Sequence, residues 1–214
     1  MNVLIACEES QRVCTAFRER GHRAFSCDIQ PCSGGHPEWH ILGDVLPILD
    51  GDCDFITEAG GRHSQNGRWD LIIAHPPCTY LSVAGNRWFD FNKYGLKAAE
   101  RYVNRMEAVE FFMKFVRADC KKIAIENPIG YMNTHYRKPD CIVYPWMFGE
   151  SNNKNVCLWL KNLPALVSTK IVERAPVHRY PCGSTNSIGW GEKSAKDRAK
   201  TFPGIARAMA EQWG

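Results

Sequence analysis

The chain has 214 residues, a net charge of +4 and 44% hydrophobic residues. That length fits one domain of ordinary size, and the apolar fraction excludes a wholly disordered chain. No apolar run approaches the roughly 20 residues that span a bilayer, and a +4 balance carries no general nucleic-acid signal.

Residues 2–7 (NVLIAC) form an apolar run of strand length. They meet charge after six residues with no basic segment ahead, which is not the pattern of a signal peptide. Ser10 is placed to cap a helix running to about Arg20, with Val13, Ala16 and Phe17 on one face and Gly21 ending it. Arg12, Arg18, Arg20 and Arg23 around it read as a solvated face. Residues 23–28 (RAFSCD) make a second strand that ends on Asp28. Residues 70–74 (DLIIA) make a third, stopped by Pro76 and Pro77. From about Ala98 to Ala118 the spacing of Val103, Met106, Val109, Phe112, Met113 and Val116 predicts one amphipathic helix. Residues 122–126 (KIAIE) are a fourth strand, ended by Asn127 and Pro128. Residues 141–148 and 156–160 look like late strands, and 174–200 are polar with little periodicity. A last helix from Pro203 to Trp213 points Ile205, Met209 and Trp213 at the core.

Strands alternating with helices imply right-handed crossovers and a mostly parallel, doubly wound α/β sheet of Rossmann-like type. Its C-terminal part is irregular and rich in loops. Ligands of such sheets bind at the C-terminal strand ends. The polar residues that follow the apolar runs are Cys7, Glu8, Glu9 and Ser10; Asp28 and Ile29; His75, Pro76, Pro77 and Cys78; and Glu126, Asn127 and Pro128.

Ten cysteines, none in a CxxC pair, fit a reducing compartment in which most are small buried apolar residues. A zinc site is not expected, because His178 and Cys182 have no second pair of similar spacing. Cys78 differs from the other nine. Two prolines stiffen the turn that carries it, directly after a buried strand. Glu126 has the same placement after the next strand, and one long helix lies between them, as a single crossover requires. A thiol beside a carboxylic acid suits attack on an electron-poor ring whose nitrogen must be protonated. Asp28, 20 residues after Glu8, stands where α/β folds hold a ribose hydroxyl pair, but the turn CEESQ lacks GxGxxG. That combination suits a nucleoside with no phosphate to cradle. Asp44, followed by Val45 after a short strand, is placed to meet an adenine amino group or is an ordinary turn acid.

The ordered set of Asp28, Asp44, Pro76-Pro77-Cys78, Glu126-Asn127-Pro128 and a C-terminal helix resembles the S-adenosylmethionine-dependent DNA cytosine-5 methyltransferases. The resemblance covers residues 2 to about 130 and again 201–213. The compact chain with Pro145-Trp146, 157–161 (CLWLK) and Thr201-Phe202-Pro203-Gly204 is similar to small phage- or prophage-encoded members. It implies one catalytic domain over 1–214 of class I methyltransferase type. Within it, 1–130 would hold cofactor and catalytic core, 131–200 late strands and target loops, and 201–214 the final helix.

By the same resemblance, Cys78 attacks C6 of a flipped cytosine while Glu126 protonates N3. Cys7, Glu8, Glu9, Ser10, Asp28, Ile29, Asp44, Val45, His75 and Pro76 line the S-adenosylmethionine site. Pro77, Ser82, Asn127, Pro128 and Arg137 contact the base, with the loop 83–88 closing over it. The family's Gln-x-Arg-x-Arg motif is not evident, leaving Arg137, Arg174 or Arg179 to replace it. No metal is implied, the partner is DNA and not a membrane, and the location is cytoplasmic, the host's if phage-encoded. There is no separate recognition domain, so base contacts fall to Gly60–Arg68, Asn86–Lys97 or His178–Lys200, or to an oligomeric or recognition partner. Two other readings remain open. One is a related enzyme acting on a free nucleotide, single-stranded DNA or RNA. The other is a catalytically silent Rossmann-like binding module.

Overall fold

The computed structural model describes residues 1–179, 185–187 and 194–214. Its main elements, in chain order, are β1 (Asn2–Ala6), α1 (Arg12–Glu19), β2 (Arg23–Asp28), β3 (His40–Leu42), β4 (Cys53–Ile56), β5 (Arg62–Gln65), β6 (Leu71–Ala74), α2 (Phe91–Tyr94), α3 (Leu96–Arg117), β7 (Ile123–Asn127), α4 (Met132–His135), β8 (Cys141–Val143), β9 (Val156–Lys161), β10 (Val177–Arg179), β11 (Thr185–Ser187), α5 (Ala195–Ala199) and α6 (Pro203–Trp213). Seven strands form one sheet in the order β3-β2-β1-β6-β7-β9-β8. The first five lie parallel, and β9 runs antiparallel to both its neighbours. The chain is thus α/β, with a mostly parallel sheet flanked by helices, an arrangement compatible with a Rossmann-like fold.

Both faces of the sheet are covered, which is why its central strands are apolar throughout. Val3 and Ile5 of β1 pack with α1 and with Ile205, Met209 and Trp213 of α6. Leu4 and Ala6 face the other way, onto Val109, Phe112 and Phe115 of α3. Each large side chain buried in this way stabilises by about 1.5–3 kcal/mol. The indole of Trp213 also donates to the Pro164 carbonyl at 3.0 Å, so burial leaves no orphaned N–H there.

Several local expectations change. Ser10 does not cap α1. Gln11 holds the cap position in a left-handed conformation, and the Glu8 carboxylate accepts from the amides of Val13 (2.7 Å) and Cys14 (3.1 Å). Gly21 ends the helix with φ +82° as expected. Arg18 is half-buried over the rings of Phe25 and Trp39, so it does not belong to a solvated face. The buried stripe of α3 runs through Ala98, Arg105, Val109, Phe112 and Phe115, leaving Val103 and Met106 exposed. The strand expected over 141–148 stops at Val143, because Pro145 opens a tight turn. Part of Gly60–Arg68, a segment expected to offer base contacts, is strand: β4 and β5 form a hairpin around Gly60 and Gly61. Among the described residues, no helix is long and apolar enough to cross a membrane and no cluster of three metal-ligating side chains occurs. Cys182, and residues 180–184 and 188–193 of the expected target loop at 178–200, lie outside the described residues.

Candidate active site

Strand order reverses at β1, which has β2 on one side and β6 on the other. A crevice opens at such a switch point, beyond the carboxyl ends of the strands. The segments that reach it are residues 7–11 after β1, Asp28 after β2, Asp44 after β3, 75–78 after β6 and the end of β7. Ile73, Ala74 and the residues after them run beside Ala124, Ile125 and Glu126 in parallel register. Adjacent strands therefore deliver His75 and Glu126 side by side.

His75 Nδ1 lies 3.2 Å from Glu126 Oε2, with side chains only 9% and 12% exposed. Burial alone would raise the Glu126 carboxyl. The His75 hydrogen bond, with the charges of Lys154 and His75, outweighs that and holds it below its ordinary value. The Cys78 thiol moves the other way. Burial and the Glu126 charge push it up, while Lys154 pulls it down. At neutral pH the pair therefore carries one proton, held on sulfur, beside an ionised carboxylate. Asn127 joins the two strand-end loops by donating to the Pro76 carbonyl at 2.7 Å, and its Oδ1 is buried without a partner. His75 Nε2 is buried and unpartnered too.

The loop after Cys78 is stitched to the loop after Glu126. Ser82 bridges Gly130, and the Tyr131 amide donates to the Leu81 carbonyl at 2.7 Å. From the other side Arg105 of α3 holds the Tyr80 carbonyl at 2.9 Å, with its guanidinium 3.4 Å from the Phe89 ring centroid. The loop 83–88, expected to close over the site, lies within a 3-10 turn (Val83–Phe89) packed on α3.

On the far side of β1 the turn is rigid. Cys7 and Gln11 both have positive φ, and the buried Gln11 side chain exchanges hydrogen bonds with the backbone of His36. Asp28 is half-buried. Its carboxyl is raised chiefly by burial, despite the Gln30 amide that donates to it at 2.9 Å. Asp44 is exposed and accepts from Leu46 N at 3.0 Å. The charges of Asp28 and Asp44 both add to burial in raising the Cys7 thiol, so the three side chains share one neighbourhood. Two carboxylates here disfavour a phosphate and suit hydroxyl or amino donors. Ile29, 78% exposed, offers an apolar rim beside them. Val45 is buried beneath.

The expected site residues thus separate. Cys78, Glu126, His75, Pro76, Pro77, Asn127 and Pro128 lie on the β6 and β7 ends. Cys7, Asp28, Ile29, Asp44 and Val45 gather at the β1 to β3 ends, and Glu9 and Ser10 are buried in the turn between. Glu8 faces inward, where α1 uses both its oxygens. Arg137 is not at this edge. Its guanidinium pairs with Asp140 at 2.8 Å, and it lines a different cavity with Ile123, Lys161 and Asn162. Arg174 lies 4.2 Å from the Trp146 ring centroid, and the Arg179 side chain is outside what is described. Among the described residues, the lysine whose charge favours ionised Cys78 and Glu126 is Lys154, which no motif marks and whose Nζ donates to the Arg198 carbonyl at 2.9 Å. Only the register Asn127 to Cys157 brings the residues before β9 alongside the end of β7. No protein-family model matches the chain, and no curated protein matches it.

Proposed function

We propose that the chain transfers a methyl group from S-adenosylmethionine to C5 of cytosine in DNA, with Cys78 as nucleophile and Glu126 as acid. The carrying observation is geometric: adjacent parallel strands bring the Cys78 loop and Glu126 to one edge, with Asn127 tying the two loops at 2.7 Å and His75 holding Glu126 at 3.2 Å. With cytosine in the crevice, the Cys78 proton passes by way of Glu126 to N3. Sulfur bonds to C6, and the ring electrons it displaces make C5 nucleophilic. S-adenosylmethionine, when bound, supplies an electrophilic methyl on a sulfonium. Once C5 is methylated, its proton leaves to water, the Sγ–C6 bond breaks, and the N3 proton returns through Glu126 to Cys78.

The nucleoside of the methyl donor would lie at the β1 to β3 ends. Asp28 would accept from its ribose hydroxyls, Asp44 from its adenine amino group, and Ile29 would offer apolar contact. The missing arginine motif is met by Lys154, whose charge lowers both the Glu126 carboxyl and the Cys78 thiol. The target base must leave a duplex to reach Cys78, or come from a strand that is already single.

The test is transfer of a labelled methyl group to cytosine-containing DNA. Cys78→Ala should abolish it with the fold intact by circular dichroism, and Glu126→Gln should slow it by about 10²–10⁴-fold. Full activity in Cys78→Ala sinks the proposal.

A further inference from the structure

Residues 79–105, which follow Cys78, hold six aromatic residues and five cations against two acids, a net of +3 in a chain whose total is +4. This segment folds into the 3-10 turn, α2 and the start of α3, and between them lies a cleft of about 430 Å³. Tyr80, Trp88, Tyr94, Lys97, Arg101 and Asn104 line it, with Glu100. Trp88 is 41% exposed, where an indole buries little area unless something covers it. Its ring centroid is 5.1 Å from that of Tyr94, and the Arg87 guanidinium lies 4.8 Å from its own centroid. Phe91 and Tyr102 stack beside them and are exposed as well.

The cleft is tied to the proposed nucleophile. Arg101 donates to the Thr79 carbonyl at 2.9 Å and lies over the Tyr80 ring at 4.8 Å, while Asn104 donates to the Tyr80 hydroxyl at 3.3 Å. Tyr80 is two residues from Cys78, so their Cα atoms are at most about 7.6 Å apart. A base attacked by Cys78 would have its chain neighbour at this distance.

We infer that the Tyr80–Trp88–Tyr94 cleft is a stacking site for an unpaired base of single-stranded nucleic acid, with Arg87, Lys97 and Arg101 meeting its phosphates. Interleaved aromatic faces and cations are the means by which proteins hold single strands without reading sequence. A closed duplex hides its base faces, so several exposed rings beside cations favour a strand that is already single. An apolar peptide would fill the rings but gain nothing from the cations. The inference rests on the nucleic-acid reading above, and it narrows the substrate to a single strand.

The test uses the full chain and a labelled oligothymidylate of about a dozen nucleotides, which spans such a site and contains no cytosine. It should bind more tightly than the same strand in a duplex with oligoadenylate. Trp88→Ala and Tyr94→Ala should each weaken binding by about tenfold, from stacking of about 1–3 kcal/mol per base, while Trp88→Phe keeps most of it. Arg87→Gln with Lys97→Gln should flatten the salt dependence. Oligodeoxyuridylate against oligouridylate identifies the sugar, and single-strand binding of either supports the inference. Equal or tighter duplex binding overturns it, as does undiminished binding in a folded Trp88→Ala/Tyr94→Ala double variant. So does binding of a proline-rich peptide, lost in the same double variant, with no binding of oligonucleotide. Methyl transfer to duplex alone, with no oligothymidylate binding, removes this inference and leaves the proposed reaction. Oligothymidylate binding with no transfer to any cytosine strand does the reverse.

Discussion

His75 Nδ1 and Glu126 Oε2 meet at 3.2 Å across the β6–β7 boundary, and the other ring nitrogen of His75 is buried with no partner. The imidazole thus has one binding partner within the site, and that partner is the proposed acid. In the proposed reaction His75 would act through Glu126, as a positioning residue.

Removing it should be visible in a pH profile. Glu126 must be ionised in the free protein to receive the Cys78 proton, so activity falls at low pH as Glu126 becomes protonated. His75 lowers that carboxyl, so His75→Ala should move the acid limb of kcat/KM to higher pH. Loss of a charge-assisted hydrogen bond of about 1.5–3 kcal/mol corresponds to roughly a 10- to 150-fold drop. His75→Gln keeps a donor and should recover part of it. An acid limb that stays in place in His75→Ala removes His75 from the mechanism.

The Cys78 thiol reports the same electrostatics directly. Its alkylation by iodoacetamide, followed on the Cys78 peptide by mass spectrometry, should rise with pH only above the ordinary thiol range. Burial and Glu126 hold it there. Glu126→Gln removes a raising charge, so the midpoint should fall. Lys154→Gln removes a lowering charge, so it should climb. Identical midpoints in all three proteins would show that these groups do not act on the sulfur.

Much of this site was legible before the fold. The runs 2–7, 23–28, 70–74 and 122–126 are apolar because both faces of β1, β2, β6 and β7 are covered, and burial on both faces erases alternation. Polar residues that end or follow such runs lie at that edge, which is how Cys78, Glu126 and Asp28 stand out; Asp44 follows only the short β3. Lys154 was hidden because its position depends on the antiparallel docking of β9, a long-range pairing with no local signal. Arg137 was a plausible cation by type alone, and Asp140 three residues on marks it instead as a local ion pair. Ser10 is an ordinary capping residue, but the left-handed Gln11 turns the chain so that Glu8 reaches the free amides first. The polar hairpin β4–β5 carried only its turn signal, Gly60 and Gly61.

Two acids near β1 should separate by what they hold. Asp28 lies half-open at the end of β2. Asp28→Ala should weaken S-adenosylmethionine binding by about 10- to 150-fold in calorimetry, with little change in unfolding. Glu8 is buried and caps α1, so Glu8→Ala should lower stability by about 2–4 kcal/mol in urea melts, with two amides left unsatisfied. Its residual folded fraction should bind the donor with near-normal affinity. Equal binding losses in both variants would place Glu8 in the binding site after all.

Gly130 tests whether the stitched loops position the nucleophile. A Cβ there would strike the Leu81 carbonyl, the group that accepts from Tyr131 and fixes the segment after Cys78. The neighbour is backbone, so it cannot swing aside, and the two loops must part. Gly130→Ala should therefore reduce methyl transfer by about a hundredfold, the scale of a 1 Å misplacement of a reacting group. The parting loops carry the buried Leu81 and Met132, so the same variant should also lower the urea midpoint, and transfer is compared per folded molecule. A variant with full activity would show that the Ser82–Gly130 bridge does not position Cys78.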